Sequence, residues 1–332
     1  MAFARTGAPD RGAGVARRRI RWRSWAPLLV LIALCVFLSI ANPRFMELFN
    51  ISRLAGVTAV PLTVGLGSTL IVMLGSIDLS VEGMIAISAM VLVLLGGNDL
   101  NHNDYGWWAV LAAVAATTAM GFLNGLVQTL LRIPSFMATL GMWFVCLGAA
   151  IYMLGGSTVR LMDMGLRRIA LARFAGIPFS VYIAVGAFAI AAFVQYRTRL
   201  GRHIVAVGGG EDIAQLSGIN TNRVRVYAFG LAGFFYGVAG VLAAAQIGQS
   251  NAVIGDGRLF TSVTAVVVGG TALTGGEGGV VNTLIGVLIV SVLANGMILL
   301  GISPYIQQTA QGLMIIAAVA LTLDRKRLRI VK

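Results

Sequence analysis

The chain has 332 residues, of which 58% are hydrophobic and only 11% are charged, and its formal net charge is +13. Soluble globular proteins carry about 25% charged residues, so this composition excludes a water-soluble globular protein and predicts a polytopic membrane protein. The basic residues stand beside apolar runs, as determinants of membrane topology do, which argues against a nucleic-acid partner.

Cysteine and histidine usage argues against disulfides and metal sites. Cys35 and Cys146 both lie inside apolar runs, where they resemble small core residues. His102 and His203 are the only histidines, and neither has a second ligand at metal-binding spacing. The sequence therefore predicts no metal site in this chain.

A basic segment precedes the first apolar run. Residues 1–24 end in RRRIRWR (17–23), and the run WAPLLVLIALCVFLSIAN (25–42) follows. This order of charge and apolar residues also occurs in cleavable signal peptides, but no A-x-A-like cleavage site follows the run. An uncleaved membrane anchor is therefore predicted.

Ten apolar runs are candidate membrane spans. A hydrocarbon core of about 30 Å needs about 20 helical residues, and helices are required because lipid offers the backbone no hydrogen bonds. The fold class is thus predicted to be all-α, with a transmembrane domain at 25–323 between tails at 1–24 and 324–332. The spans lie at 25–42, 55–74, 81–96, 107–130, 134–154, 176–195, 226–248, 259–275, 279–300 and 304–323.

The arginine distribution predicts that both termini are cytoplasmic. With that orientation the inside segments hold most of the basic residues: 1–24, 75–80, 131–133, 196–225, 276–278 and 324–332. The outside segment 97–106 contains aspartates but no Lys or Arg. One outside segment disagrees, since 155–175 contains Arg160, Arg167, Arg168 and Arg173.

Glycines inside the spans predict close helix packing. Gly233 and Gly237 match the small-xxx-small pattern that lets helix backbones approach in lipid. The pattern favours packing within the bundle over a dedicated dimer motif.

The segment GRHIVAVGGGEDIAQLSGI (201–219) is polar between two apolar runs. Its three glycines do not form a phosphate-binding loop, because acids follow them and no Gly-Lys-Ser or Gly-Lys-Thr occurs in the chain. Glu211 and Asp212 suit a helix N-terminus, and Gly218 suits a left-handed C-cap, so a short helix is predicted at 211–216. It would present Ile213, Leu216 and Ile219, either to the bundle's inner face or to a soluble partner.

Four stretches resemble the permease subunits of bacterial ABC sugar importers of the ribose, xylose and arabinose type. They are GRHIVAVGGGEDIAQLSGI (201–219), SIDLSVEGMIAIS (76–88), GFLNGLVQTLLRIPSFMATLGM (121–142) and TSVTAVVVGGTALTGGEGGVVNTLIGVLIVSVLANGMILLGI (261–302). The resemblance implies a multi-pass subunit of the inner membrane that is not itself an enzyme. It also implies three partners, namely a cytoplasmic ATPase that holds ATP and magnesium, a periplasmic solute-binding protein, and a second permease copy or paralogue.

In that family the block after the three glycines is the coupling helix, which docks into a cleft on the ATPase. By resemblance the coupling residues are Glu211, Asp212, Ile213, Ala214, Gln215, Leu216, Ser217 and Gly218.

The turn at 75–80 departs from the family pattern just after its end. The family has glycine where this chain has Glu82, which adds a second acid beside Asp78. At a cytoplasmic turn this acid is expected to be solvated. Asp78 and Ser80 form a candidate gating turn, and a helix-capping role for Asp78 is an equal alternative.

Passage of a sugar requires a polar path, because hydroxyl groups are costly to desolvate in hydrocarbon. The candidate path residues are polar side chains within the spans: Asn124, Gln128, Thr139 and Asn295. For Asn124 and Gln128 the alternative, which is slightly favoured, is that they form hydrogen bonds between helices. Asn124 and Gln128, at i and i+4, share one helix face.

The arginines of 155–175 are candidates for docking the binding protein, and the alternative is that this loop lies across lipid headgroups. An ion-coupled secondary transporter is the main rival function, but it calls for ionisable residues in mid-span, and the predicted spans have such residues only near their ends. An integral-membrane enzyme would need a catalytic cluster, and the sequence contains no recognisable one.

Overall fold

The computed structural model describes residues 22–322. The predicted tails at 1–24 and 324–332 lie outside these residues, except that 22–24 already belong to the first helix.

Helices dominate this part of the chain, which confirms the all-α class. The helices are α1 (Trp22–Ala41), α2 (Leu48–Met73), α3 (Val81–Leu95), α4 (Trp107–Leu131), α5 (Ser135–Leu154), α6 (Met164–Leu171), α7 (Phe179–Arg197), α8 (Arg199–Gly209), α9 (Glu211–Leu216), α10 (Thr221–Ile247), α11 (Arg258–Val268), α12 (Val280–Leu299) and α13 (Pro304–Thr322), with a 3₁₀ helix at Pro43–Met46. Two-residue strands form two antiparallel pairs: β1 (Val159–Arg160) with β4 (Gln249–Ser250), and β2 (Arg173–Phe174) with β3 (Ile177–Pro178).

Six helices are long and apolar enough to cross a membrane, namely α2, α4, α5, α7, α10 and α12. Three more apolar helices are shorter: Trp25–Ala41 within α1, α3 and α11. The positions agree with the predicted spans, but ten full-length spans are not confirmed. The polar helices α6 and α8 were not predicted.

The predicted span at 259–275 is wrong as a continuous helix. Only α11 is helical there, with 11 residues, which measure about 16 Å or half of the hydrocarbon core. It ends at Val268 because the following loop is rich in glycines, several with positive φ that a helix cannot accommodate. α3 is also short, with 15 residues, or about 22 Å.

Loops predicted on the same side of the membrane meet at the same end of the bundle. At one end Asn98 bridges to Leu161, and the amide of Arg160 donates to Asp99 at 2.8 Å. We call this the outer end. At the opposite, inner end, the amide of Gly276 donates to the carbonyl oxygen of Met73 at 2.9 Å. The structure thus sorts the loops as the charge pattern predicts.

The centre of the bundle is formed by α2 and α10, whose most apolar windows are 89% and 83% buried. Gly233 and Gly237 of α10 pack against α4, where added Cβ atoms would overlap the carbonyl oxygen and the hydroxyl of Thr117. The prediction that these glycines serve packing within the bundle is confirmed.

Candidate functional site

The polar stretch between α7 and α10 folds as two consecutive helices at the inner end. Thr198 caps α8 by accepting a hydrogen bond from the amide of Gly201 at 3.3 Å. Ile204 and Val207 of α8 are buried against the bundle. α8 ends at Gly209, and α9 starts directly after Gly210. The predicted coupling segment is therefore connected to the bundle through α8, which packs against the bundle and leads directly into α9.

The first of the three glycines is required by close backbone packing. A Cβ on Gly208 would overlap the carbonyl oxygen of Met73 and lie 2.6 Å from the backbone nitrogen of Gly276. Gly75 and Gly275 pack against each other beside it, both with positive φ. We call Gly75, Gly208, Gly275 and Gly276 the glycine junction. It joins the end of α8 to the turn after α2 and to the loop after α11.

α9 presents two large apolar side chains to the exterior. Ile213 is 71% exposed and Leu216 is 89% exposed, whereas Ala214 is buried at 3%. The predicted third apolar contact is wrong, because Ile219 follows the helix and packs half-buried against the core. The exposed face of α9 therefore consists of Ile213 and Leu216 with polar neighbours.

Hydrogen bonds hold this short helix at both ends. Glu211, in its first turn, forms a bidentate ion pair with Arg225 of α10 at 3.0 Å, a partner not foreseen from the sequence. Gln215 donates to the hydroxyl of Thr221 at 3.1 Å. Gly218 has φ of 81°, as its predicted C-cap role requires. α9 is thus a rigid projection, although six residues are too few for a stable isolated helix.

The candidate gating turn is buried inside the bundle. Asp78 is 6% exposed and Ser80 is fully buried. One carboxylate oxygen of Asp78 accepts hydrogen bonds from the backbone amide of Ser80 at 2.9 Å and from its hydroxyl. Asp78 thus bonds the residue that precedes α3 and not an amide of the helix itself, so its capping role stays a prediction. Glu82 is half-buried, and its carboxylate accepts a hydrogen bond from the amide of Leu259 in α11, so it is not the fully solvated side chain that was expected.

Three of the four candidate path residues surround this turn. The amide of Asn124 donates to the hydroxyl of Ser80 at 3.2 Å, and the hydroxyl of Thr139 accepts from the amide of Leu79 at 3.0 Å. Gln128 donates to the backbone of Asn124 at 3.2 Å. Within residues 22–322, no donor reaches the side-chain oxygens of Asn124 and Gln128, which are buried. The hydroxyl of Tyr236 on α10 lies beside the carboxylate of Asp78. The turn therefore contacts α4 and α5 through polar side chains, and hydrogen-bond acceptors beside it remain without donors.

Asn295 lies elsewhere in the bundle. It forms a reciprocal pair of hydrogen bonds with Asn50 of α2, both at 3.1 Å. Asn50 is near the outer start of α2, whereas the turn at 75–80 follows its inner end. The structure does not bring Asn295 together with the other three candidates.

Comparison with known proteins assigns the chain to a family. Residues 50–319 match the model described as branched-chain amino acid transport system / permease component. The chain belongs to this permease family. The ribose import permease of Escherichia coli strain K12 is 33% identical to this permease over 316 residues, which are 92% of the chain and 96% of the relative. The fructose import permease of Rhizobium meliloti is 30% identical over 305 residues, or 89% of the chain and 84% of the relative.

A relative from a Gram-positive bacterium shows the same extent of similarity. The ribose import permease of Bacillus subtilis is 34% identical over 303 residues, or 91% of the chain and 92% of the relative. No solved structure matches this permease. The relatives and the apolar helices establish a multi-pass protein of the bacterial inner membrane.

The four candidate docking arginines of the permease differ in their surroundings. The guanidinium of Arg167 packs on Gly248, the residue that ends α10, and is half-buried. Arg173 lies over the ring of Phe49 at 5.9 Å, although its side chain is exposed. Arg160 and Arg168 are exposed as well. The outer end therefore presents three exposed arginines, while the fourth contacts the fold.

Proposed function

We propose that this permease is the membrane-spanning subunit of an ABC importer for a sugar or a similar small polyhydroxylated solute. The names of its relatives, which include ribose and fructose import permeases, support a sugar as cargo. Its partners are a cytoplasmic ATPase, a periplasmic solute-binding protein and a second permease copy or paralogue. ATP and magnesium bind to the ATPase, and this chain has no catalytic role.

The proposed topology has ten crossings with both termini in the cytoplasm. α1 to α5 make five crossings, and α7, α10, α11, α12 and α13 make the other five. Two crossings combine a short helix with a non-helical segment: the loop 74–80 with α3, and the turns of 251–257 with α11. Under this topology the inner end, with α8 and α9, is cytoplasmic, and the outer end, with α6 and both strand pairs, is periplasmic.

The coupling role rests above all on the exposed pair Ile213 and Leu216, held on a helix that is fixed at both ends. Exposed apolar side chains on a fixed backbone suit a cleft on a soluble protein. Their burial is favourable, and little conformational freedom is lost on binding because the backbone is already ordered. In this proposal the whole block 211–218 contacts the ATPase.

The glycine junction provides a mechanical connection from α9 to the gating turn. Backbone contacts between Gly208 and Met73 leave no side chain to absorb a displacement of α8. A movement of α9 would therefore shift the turn at 75–80 and separate Ser80 from Asn124. The buried acceptors of Asn124 and Gln128 would then face the path, where solute hydroxyls or water can donate to them. Thr139 and Asn295 remain proposed path residues, because both are polar side chains within predicted spans.

The proposed docking surface for the binding protein consists of Arg160, Arg168 and Arg173. Charge reversal of Arg168 is expected to weaken the stimulation of ATPase activity by the binding protein, because rim charges mainly affect encounter. Arg167→Glu is unsuitable for this test, since Arg167 packs on Gly248. Unchanged stimulation in Arg168→Glu would instead favour a loop that lies on lipid headgroups.

Removal of the apolar face of α9 tests the central assignment. The double variant Ile213→Asp, Leu216→Asp is expected to abolish co-purification of the ATPase and ATP-dependent uptake. Both changes place a charge in the interface while leaving the Glu211–Arg225 ion pair intact. Co-purification from detergent and uptake of radiolabelled D-ribose, D-fructose and D-galactose into proteoliposomes are the measurements.

Met162→Asp is the matched control, because Met162 is 60% exposed in the loop at the outer end. It should co-purify with the ATPase as the wild type does. Retention of the ATPase by the α9 double variant would contradict the coupling role. Uptake by the permease alone, without any ATPase, would instead support the ion-coupled alternative.

A further inference from the structure

The short helices α3 and α11 both begin at mid-depth in the bundle. From Glu82 to the outer end of α3 there are 13 residues, or about 20 Å. From Arg258 to the inner end of α11 there are 10 residues, or about 15 Å. Gly255, five residues after the outer strand β4, packs on the backbone of Glu82. Both N-termini therefore lie beside each other within a hydrocarbon core of about 30 Å.

Three charged residues stand at this level. Glu82 accepts a hydrogen bond from the amide of Leu259 in the first turn of α11, at 3.3 Å. Asp256 lies close enough for its charge to repel that of Glu82, and Arg258 begins α11. We call Glu82, Asp256 and Arg258 the mid-depth charged group. Its formation depends on the two interrupted crossings, which bring residues 82 and 256–258 to the same place.

The group is partly buried, and its side chains form no ion pair within the described residues. Asp256 is exposed, and Glu82 and Arg258 are half-buried. Within residues 22–322 the side chains of Asp256 and Arg258 form no hydrogen bond or ion pair, and the one ion pair found is Glu211–Arg225. The side-chain oxygen of Asn251, in the same segment, is buried without a donor among these residues. The group thus retains free donors and acceptors.

Lipid does not suit this surface, because charged side chains in the hydrocarbon core face water, protein or a transported solute. A neutral solute rich in hydroxyls suits it well, since carboxylates accept from hydroxyl groups and a guanidinium donates to them. The N-termini of α3 and α11 add backbone amides at the same level.

We propose that the mid-depth charged group lines the translocation path and binds hydroxyl groups of the solute during passage. The proposal rests on the importer function above. The sequence alone did not reveal this site, because Glu82 and Arg258 each stand at the start of a predicted span, which would place them at the membrane surface. In the fold these two helix starts lie in the middle of the membrane.

Water access at these positions is tested in the permease–ATPase complex. Single cysteines replace Asp256 and Arg258 in a background of Cys35→Ala and Cys146→Ala, and a charged methanethiosulfonate reagent is added to proteoliposomes. Both cysteines are expected to react at least about tenfold faster than cysteines at Val145 and Ile190, because the reagent requires an ionised, hydrated thiol. Val145 and Ile190 are exposed apolar positions in α5 and α7.

Reaction as slow as that of the two controls would overturn the proposal. Slow reaction together with cross-linking between two permease copies at Asp256 would identify the surface as a subunit contact instead. This measurement needs no cargo, so its outcome is independent of whether the importer function is right.

Solute contact is tested with conservative variants in ATP-driven uptake of radiolabelled D-ribose, D-fructose and D-galactose. Glu82→Gln keeps an acceptor for the amide of Leu259, and Arg258→Gln keeps a donor, yet each removes a charge. The KM for uptake is expected to rise about tenfold in each. Asp104→Asn, an exposed outer position, is the control.

A KM equal to that of the wild type in both variants would overturn solute binding even if the positions are hydrated. Absence of uptake by the wild type would contradict the sugar importer itself, and the cysteine measurement would still decide whether the group faces water.

Discussion

Two non-helical segments of this permease each lead into a short helix, and they differ in what surrounds them. Residues 74–80 lead from the inner end into α3, and residues 251–257 lead from the outer end into α11. The first segment carries Asp78, which is buried and bonded to Ser80. The second carries Asp256, which is exposed and bonded to no side chain in the described range.

The difference shows that a charged residue in a membrane protein cannot be interpreted from its type alone. Asp78 is held by neighbours on α3 and adjoins α4 through Ser80 and Asn124, so it stabilises one arrangement of the helices. Asp256, with Glu82 and Arg258, keeps its bonding capacity open. A non-helical segment before a short helix therefore serves as a structural connection at 74–80 and, in our proposal, as a solute contact at 251–257.

Disrupting the inner anchor of the first segment should have the largest effect. Gly208→Ala is expected to lower the free energy of unfolding by about 1–3 kcal/mol, because overpacking forces backbone shifts around Met73 and Gly276. Thermal unfolding in detergent measures this. Gly209→Ala is the matched control, since an added Cβ there meets nothing within 4 Å and alanine favours a helix. Equal stability of the two variants would contradict the glycine junction.

Alanine at each aspartate compares the two segments directly. Asp78→Ala should cost about 1–3 kcal/mol, because it leaves a buried amide and hydroxyl of Ser80 without their acceptor. Asp256→Ala should change stability by about 0.5 kcal/mol or less, as for other exposed positions. Similar losses of stability would remove the distinction between the segments.

The smallest effect is expected for a polar pair outside both segments. A double-mutant cycle with Asn50→Leu and Asn295→Leu should give a coupling energy of about 0.6 kcal/mol, typical of side-chain hydrogen bonds within membranes. Chemical unfolding in mixed micelles measures it. A coupling of zero would mean that these two hydrogen bonds do not form in the membrane.

The short helix α9 was predictable because its signals are local. Acids mark the start at Glu211, a glycine with positive φ marks the end at Gly218, and apolar residues stand between them. The ion pair with Arg225 was not predictable, because it depends on the angle between α9 and α10. Likewise, polar residues within spans identified Asn124 and Thr139 as candidates, but their shared contact with the turn at 75–80 required the folded bundle.

The amino-acid sequence by itself determined the membrane class, the positions of the long spans and the family resemblance, because apolar run length and local motifs are properties of neighbouring residues. Only the tertiary structure decided that the predicted span at 259–275 is helical in its first part alone, and that Glu82 contacts the first turn of α11. The reason is that a window of hydrophobic residues reports which segments avoid water, whereas the depth at which a helix begins depends on the backbones packed around it, here at Gly255, Gly269 and Gly286.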